Sequence, residues 1–198
     1  QTNGGSFTNV ASNTRPAGGG GRIAIYIANT NNFTGSITSY PGVKANNMAS
    51  AAPGTIYLQQ GSNKGELRID GGSATTANGT AETILNKNID VDDFNLSNYA
   101  RIRFADNISA VTNNMKVNGS SNRIIVSPTN TITLNGSSTI ENTNIQLSGL
   151  INGVGSLKLQ NGTTITQIGH TNTSITQLVQ HNLTIGSGAV ITHSDNTA

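Results

Sequence analysis

The chain has 198 residues, of which 34% are hydrophobic, 4% aromatic and 10% charged, with no cysteine and a formal net charge of +2. That length allows one domain or a solenoid of several short coils, while so few apolar and charged residues exclude both a large globular core and a highly charged disordered chain. The missing thiols exclude disulfides and thiolate metal sites, which fits a bacterial or phage exterior better than a small secreted eukaryotic domain.

Asn, Thr, Gly and Ser supply roughly half of the sequence, a composition that favours turns and strands over helices. The 11 basic and 9 acidic residues are dispersed, so no basic stripe marks a nucleic-acid partner. No apolar run approaches the ~18 residues of a membrane-spanning helix, so membrane insertion by this segment is not expected. The start at Gln1, with no initiator Met or leader, reads as a mature or excised fragment.

Taken in chain order, short runs of alternating apolar residues predict strands at 22–27, 55–58, 66–69, 89–91, 101–104, 123–126, 131–134, 145–147, 157–159, 163–168 and 183–185. Residues 1–21, 41–54 and 71–80 are rich in Gly, Ala, Asn and Pro or poor in apolar residues, and read as loops or wide corners. The chain therefore divides into a glycine-rich, less regular β region at 1–80 and regular coils at 81–198, within one continuous domain.

A repeat organises the second half. Ile102, Ile124, Ile145, Ile165 and Ile185 follow one another at intervals of 22, 21, 20 and 20 residues, which predicts a right-handed parallel β-helix with coils of about 20 residues and a stacked aliphatic column. A shorter echo places Asn118-Gly119-Ser120-Ser121 and Asn135-Gly136-Ser137-Ser138 seventeen residues apart, with Asn152-Gly153 seventeen further on. Asn-Gly is also the commonest hairpin turn, so the alternative is an antiparallel sandwich or jelly roll with a hairpin at each pair. Asparagines stacked at coil corners would distinguish the helix, because their amides can pair groups that a turn leaves open.

The runs Gly18-Gly19-Gly20-Gly21-Arg22-Ile23-Ala24-Ile25-Tyr26, Pro53-Gly54-Thr55-Ile56-Tyr57-Leu58 and Gly65-Glu66-Leu67-Arg68-Ile69-Asp70 resemble the glycine-rich coils of large bacterial exported β-helix proteins of the adhesin and filament type. The resemblance covers residues 18–70 and implies a parallel β-helix in an exported, surface-exposed setting. Because that group includes adhesins, filament stalks and carbohydrate-active enzymes, it names no activity. The glycines themselves suit backbone at positive φ or passing close to a neighbouring coil. A phosphate loop would need a Lys-Ser/Thr and a following helix, and both are lacking.

Asp90, Asp92 and Asp93 form the densest carboxylate group. On a strand Asp90 and Asp92 share a face, where converging carboxylates could hold calcium or serve a glycosidase, or could instead pair with Arg101 and Arg103 across strands. Calcium is the one cofactor so indicated, and no residues are assigned as catalytic or cofactor-binding. His170, His181 and His193 lie too far apart for a metal pair and read as surface residues. Tyr26 and Tyr57, in two of the resembling strands, are expected to stack.

Together these features point to a non-catalytic β-helical module of an adhesin or structural filament at the cell surface or outside the cell, contacting a host or environmental glycan or protein. The alternative is a glycan-binding or polysaccharide-degrading β-helix like a phage tailspike, for which a homotrimer would be the expected assembly.

Overall fold

The computed structural model describes residues 1–6, 17–42, 51–72, 81–168 and 178–194, with the side chains of 179–181 left aside. Among them are fifteen strands and no helix: β1 (Arg22–Ile27), β2 (Thr55–Gln60), β3 (Glu66–Asp70), β4 (Thr83–Leu85), β5 (Ile89–Ser97), β6 (Arg101–Phe104), β7 (Ser109–Asn118), β8 (Asn122–Val126), β9 (Thr131–Leu134), β10 (Ser137–Glu141), β11 (Thr143–Leu147), β12 (Leu150–Gln160), β13 (Thr164–Ile168), β14 (Leu178–Ile185) and β15 (Val190–Ser194).

The strands form a nine-stranded and a six-stranded sheet, and every pairing from β3 onward is parallel. This is a parallel β-helix. Each coil lays one strand on the six-stranded sheet, turns, runs along the nine-stranded sheet, and bends once within that sheet. The bend marks a third side: β9 and β10 are separate strands, yet both pair with β7 and both with β12. In β5 the bend falls at Asp92 and Asp93, which both stay partly exposed between buried Val91 and Phe94.

Alternation decides the interior. On the six-stranded sheet Ile102, Ile124, Ile145 and Ile165 stand in register and are at most 1% exposed, so each contributes roughly 1.5–3 kcal/mol through burial. Two further columns run through Leu67, Phe94 and Met115 and through Ile69, Leu96 and Val117 on the nine-stranded sheet. Ile140 and Leu159 continue the second of these.

The period read from the sequence fits the first four isoleucines and fails at the fifth. Ile165 stacks on Ile191, not on Ile185; the last coil is longer, so that Thr166 and Thr192 meet across a separation of 26 residues. Ile185 belongs to the other sheet, opposite Leu159. The seventeen-residue echo is likewise not a structural repeat. Asn118 closes the strand leading to the six-stranded sheet, whereas Asn135 and Gly136 occupy the bend between β9 and β10. No Asn-Gly pair makes a hairpin among the described strands, which removes the jelly-roll alternative.

Asparagine builds the corners, as the helix reading expects. Asn98, Asn107, Asn142 and Asn161 hold φ of 47°, 62°, 46° and 50°, the left-handed region that asparagine tolerates better than other side chains. Buried Asn122 accepts a hydrogen bond from the Ala100 amide at 3.1 Å and donates to the Asn118 carbonyl at 2.7 Å. Asn130 likewise accepts from the Ile108 amide at 2.9 Å and donates to the Phe104 carbonyl at 3.3 Å. Such pairing avoids the cost of burying an open amide at a turn, about 1–3 kcal/mol each.

The N-terminal part is built differently. β1 pairs with β2 in parallel, but β2 meets β3 antiparallel, the one antiparallel pair among the described strands. The chain reverses through residues 61–65, so the parallel stack begins with β3 and reaches further toward the N-terminus than residue 81. Before it, extended segments at 2–5, 18–21, 39–42 and 52–54 bond to one another, for example Gly4 N to Tyr40 O at 2.9 Å and Gly42 N to Gly18 O at 2.8 Å. Their backbones touch: a Cβ on Gly20 would collide with Gly54 and Ser39, and one on Gly54 with Gly21 and Ser39. Gly18, Gly20 and Gly21 are therefore required by close approach, whereas a Cβ on Gly19 would make only an ordinary contact with Ala52, and positive φ is not the reason for any of the four.

Candidate functional site

The aspartates of β5 are held by neighbours. Asp90 Oδ1 accepts from Lys64 Nζ at 2.7 Å, and Asp92 Oδ2 accepts from the Lys64 amide at 2.9 Å. Asn113 Nδ2 donates to Asp92 Oδ1 at 2.9 Å, and Asn114 Nδ2 donates to Asp93 Oδ1 at 3.1 Å. The bend in β5 thus turns Asp90 toward the loop after β2 and Asp93 toward the next coil, while Asp92 is held by both. Among the described residues no three His, Cys, Asp or Glu side chains gather as a metal site would require.

The ion partner of Asp90 is Lys64, not the expected Arg101 or Arg103, because those arginines lie on the other sheet. The hydrogen bond and charge of Asp90, helped by the charge of Asp92, raise the Lys64 ammonium above its usual range. Both partners are more than half exposed, so solvent screens the pair.

A second cluster lies on the outer face of the six-stranded sheet. Arg101 and Arg123 are direct register partners on β6 and β8, followed outward along the stack by Asn144 on β11 and Thr164 on β13. Placing like charges opposite one another on adjacent strands opposes folding. Glu82, only 14% exposed at its side chain, answers part of that charge from the preceding coil: it lies 3.1 Å from Arg103 Nε and 3.8 Å from Arg123 Nη1. Arg123 Nη2 also donates to Gln146 Oε1 at 2.9 Å. Two guanidinium groups, those of Arg103 and Arg123, thus approach one carboxylate.

Arg101, Arg123 and Gln146 border an open groove of about 650 Å³, whose charged lining residues among those described are Arg101 and Arg123 and whose remaining walls are Asn, Ser, Thr, Gln and Gly. Burial, and then the charge of Arg123, pull the Arg101 guanidinium below its ordinary range, while Glu82 acts the other way. The groove crosses four successive strands, about 14 Å at ~4.8 Å per strand.

The remaining candidates separate cleanly. Tyr26 and Tyr57 do meet, edge to face with ring centres 5.7 Å apart, as β1 and β2 pair. His170 lies outside the described residues, as does the side chain of His181; His193 is exposed on β15. Sequence reading missed the partnership of Arg123 with Arg101 and Glu82. Its signal was present: Arg101 and Arg123 each precede an isoleucine of the repeating column, so applying the same interval to the outward positions brings them together.

Compared with known protein families, curated proteins and solved structures, the chain matches none.

Proposed function

We propose that this chain is a non-catalytic, surface-exposed module of an adhesin or structural filament, set on a bacterial or phage exterior. The observation that carries this reading is the division of labour across the coils. Aliphatic columns make a continuous rod, while every outward carboxylate of the Asp90, Asp92 and Asp93 group is occupied in hydrogen bonds that join one coil to the next or to the Lys64 loop. Side chains so engaged serve the rod and are poorly placed to transfer protons. The stack supplies reach, and its polar faces supply contact with a surface glycan or protein.

The experiment couples adhesion with chemistry. Beads coated with the purified chain are passed over surfaces bearing a panel of polysaccharides, and the polymer lengths are measured after incubation. The reading expects retention of beads on at least one surface with unchanged polymer length. Shortening of any polymer that is abolished by Asp92→Asn would overturn it in favour of a polysaccharide-degrading β-helix.

A further inference from the structure

We infer that the groove beside Arg101 and Arg123 binds an acidic polysaccharide, with its carboxylate groups received by the two guanidiniums. This rests on the reading of the chain as a non-catalytic contact module and names the ligand class. Three observations carry it. First, the parallel register sets Arg101 opposite Arg123, and one carboxylate, Glu82, approaches Arg103 and Arg123 within 4.0 Å on the same face. The local charge is cationic, and an incoming anion would relieve the repulsion between adjacent like charges. Guanidinium favours carboxylate because its fork offers two parallel hydrogen bonds.

Second, the walls beyond the arginines are hydrogen-bonding rather than apolar: Asn122, Asn144, Gln146 and Thr164 line the same groove. Their amides and hydroxyls match a ligand that carries many hydroxyls. Among the described residues the groove's lining contains no aromatic side chain, so these supply no platform for stacking nucleobases. A protein segment would want apolar anchors, and the described lining offers none.

Third, the groove is open and its lining spans four successive strands of the stack, so a polymer can lie along it. Backbones of adjacent strands are ~4.8 Å apart, which lets neighbouring acidic sugars of one chain reach Arg101 and Arg123 in turn.

The test uses the full chain and three probes: polygalacturonate, neutral dextran and single-stranded DNA. Wild-type protein is expected to bind polygalacturonate, to ignore dextran, and to bind DNA less tightly. The pair Arg101→Gln with Arg123→Gln should weaken polygalacturonate about tenfold or more and flatten the salt dependence. Arg103→Gln, which lies outside the groove lining, should change affinity less than about twofold. Thermal unfolding followed alongside should show the double variant folded. If that variant does not fold, Arg123→Lys provides the same reading, because it keeps the charge, loses the fork and should bind more weakly.

Unchanged affinity in the variant that is folded, no binding of polygalacturonate by the wild type, or DNA binding as tight as polygalacturonate would each overturn the proposal. None of those results touches the adhesive-module reading. That reading falls on polymer shortening, which the bead-adhesion experiment reads separately through polymer length.

Discussion

The stack from β3 onward and the glycine segments before it use the same material, extended backbone bonded to extended backbone, yet they are held in opposite ways. In the stack, side chains such as Phe94, Ile124 and Leu147 fill the space between walls and are at most 1% exposed. In the segments around Gly20 and Gly54 the backbones approach so closely that no side chain fits between them. The first arrangement draws its stability from apolar area, the second from dense backbone packing and hydrogen bonds. Deleting atoms should therefore harm the stack, and adding them should harm the glycine region.

The largest effect is expected in the stack. Ile145 is fully buried between Ile124 and Ile165, so Ile145→Ala should cost about 2–5 kcal/mol, read as a lower midpoint in urea unfolding. Next is the addition of one methyl group: Gly54→Ala should cost about 1–3 kcal/mol. Hydrogen exchange should rise in residues 17–42 and 51–60 while β5 to β13 keep their protection. Loss of protection throughout the chain would erase the distinction between the two regions.

The smallest effect is electrostatic and confined to the stack. Hydrogen bonds donated by Asn161 and Gln160, aided by the nearby Lys116 and Lys158, hold the partly exposed Glu141 carboxyl below its usual range. A depressed carboxyl favours the folded state at pH values above its ordinary pKa, and the gain disappears as pH falls through the folded value. Acidification from pH ~5 to ~3 should thus lower the melting temperature slightly more in the wild type than in Glu141→Gln. The glycine region should show no matching change.

The same contrast explains what was legible in the sequence. Strands whose inward positions are aliphatic, such as β6 and β9, stand out by alternation and match their expected limits. β10 does not, because its inward pair is Ser138 and Ile140, and the buried Ser138 hydroxyl accepts the Met115 amide in place of packing. β7 is broken as a pattern by Asn113 and Asn114, which sit at the bend and face outward together. The lengthened last coil hid in a period that fitted the four earlier isoleucines. Reversal at residues 61–65 was invisible because β2 and β3 alternate alike whichever way they run.

The carboxylates were legible as a cluster, but their partners were not. Lys64 approaches Asp90 only because the β2–β3 reversal carries its loop back over β5. The arginine groove was within reach of the sequence, since its two cations share the interval of the hydrophobic column, although only the fold supplies Glu82 and the polar walls.

All of this depends on consecutive coils lying in the parallel register that sets Arg101 beside Arg123. Because the chain has no cysteine of its own, paired thiols can test that register directly. Arg101→Cys with Arg123→Cys places two thiols on directly opposed residues, within the range of a short thiol cross-linker, whereas Arg101→Cys with Asn144→Cys leaves a strand between them. Rapid intramolecular cross-linking of the first pair and little of the second is the predicted result. Equal cross-linking of both pairs, or none in the first, would contradict the parallel stack and the groove built on it.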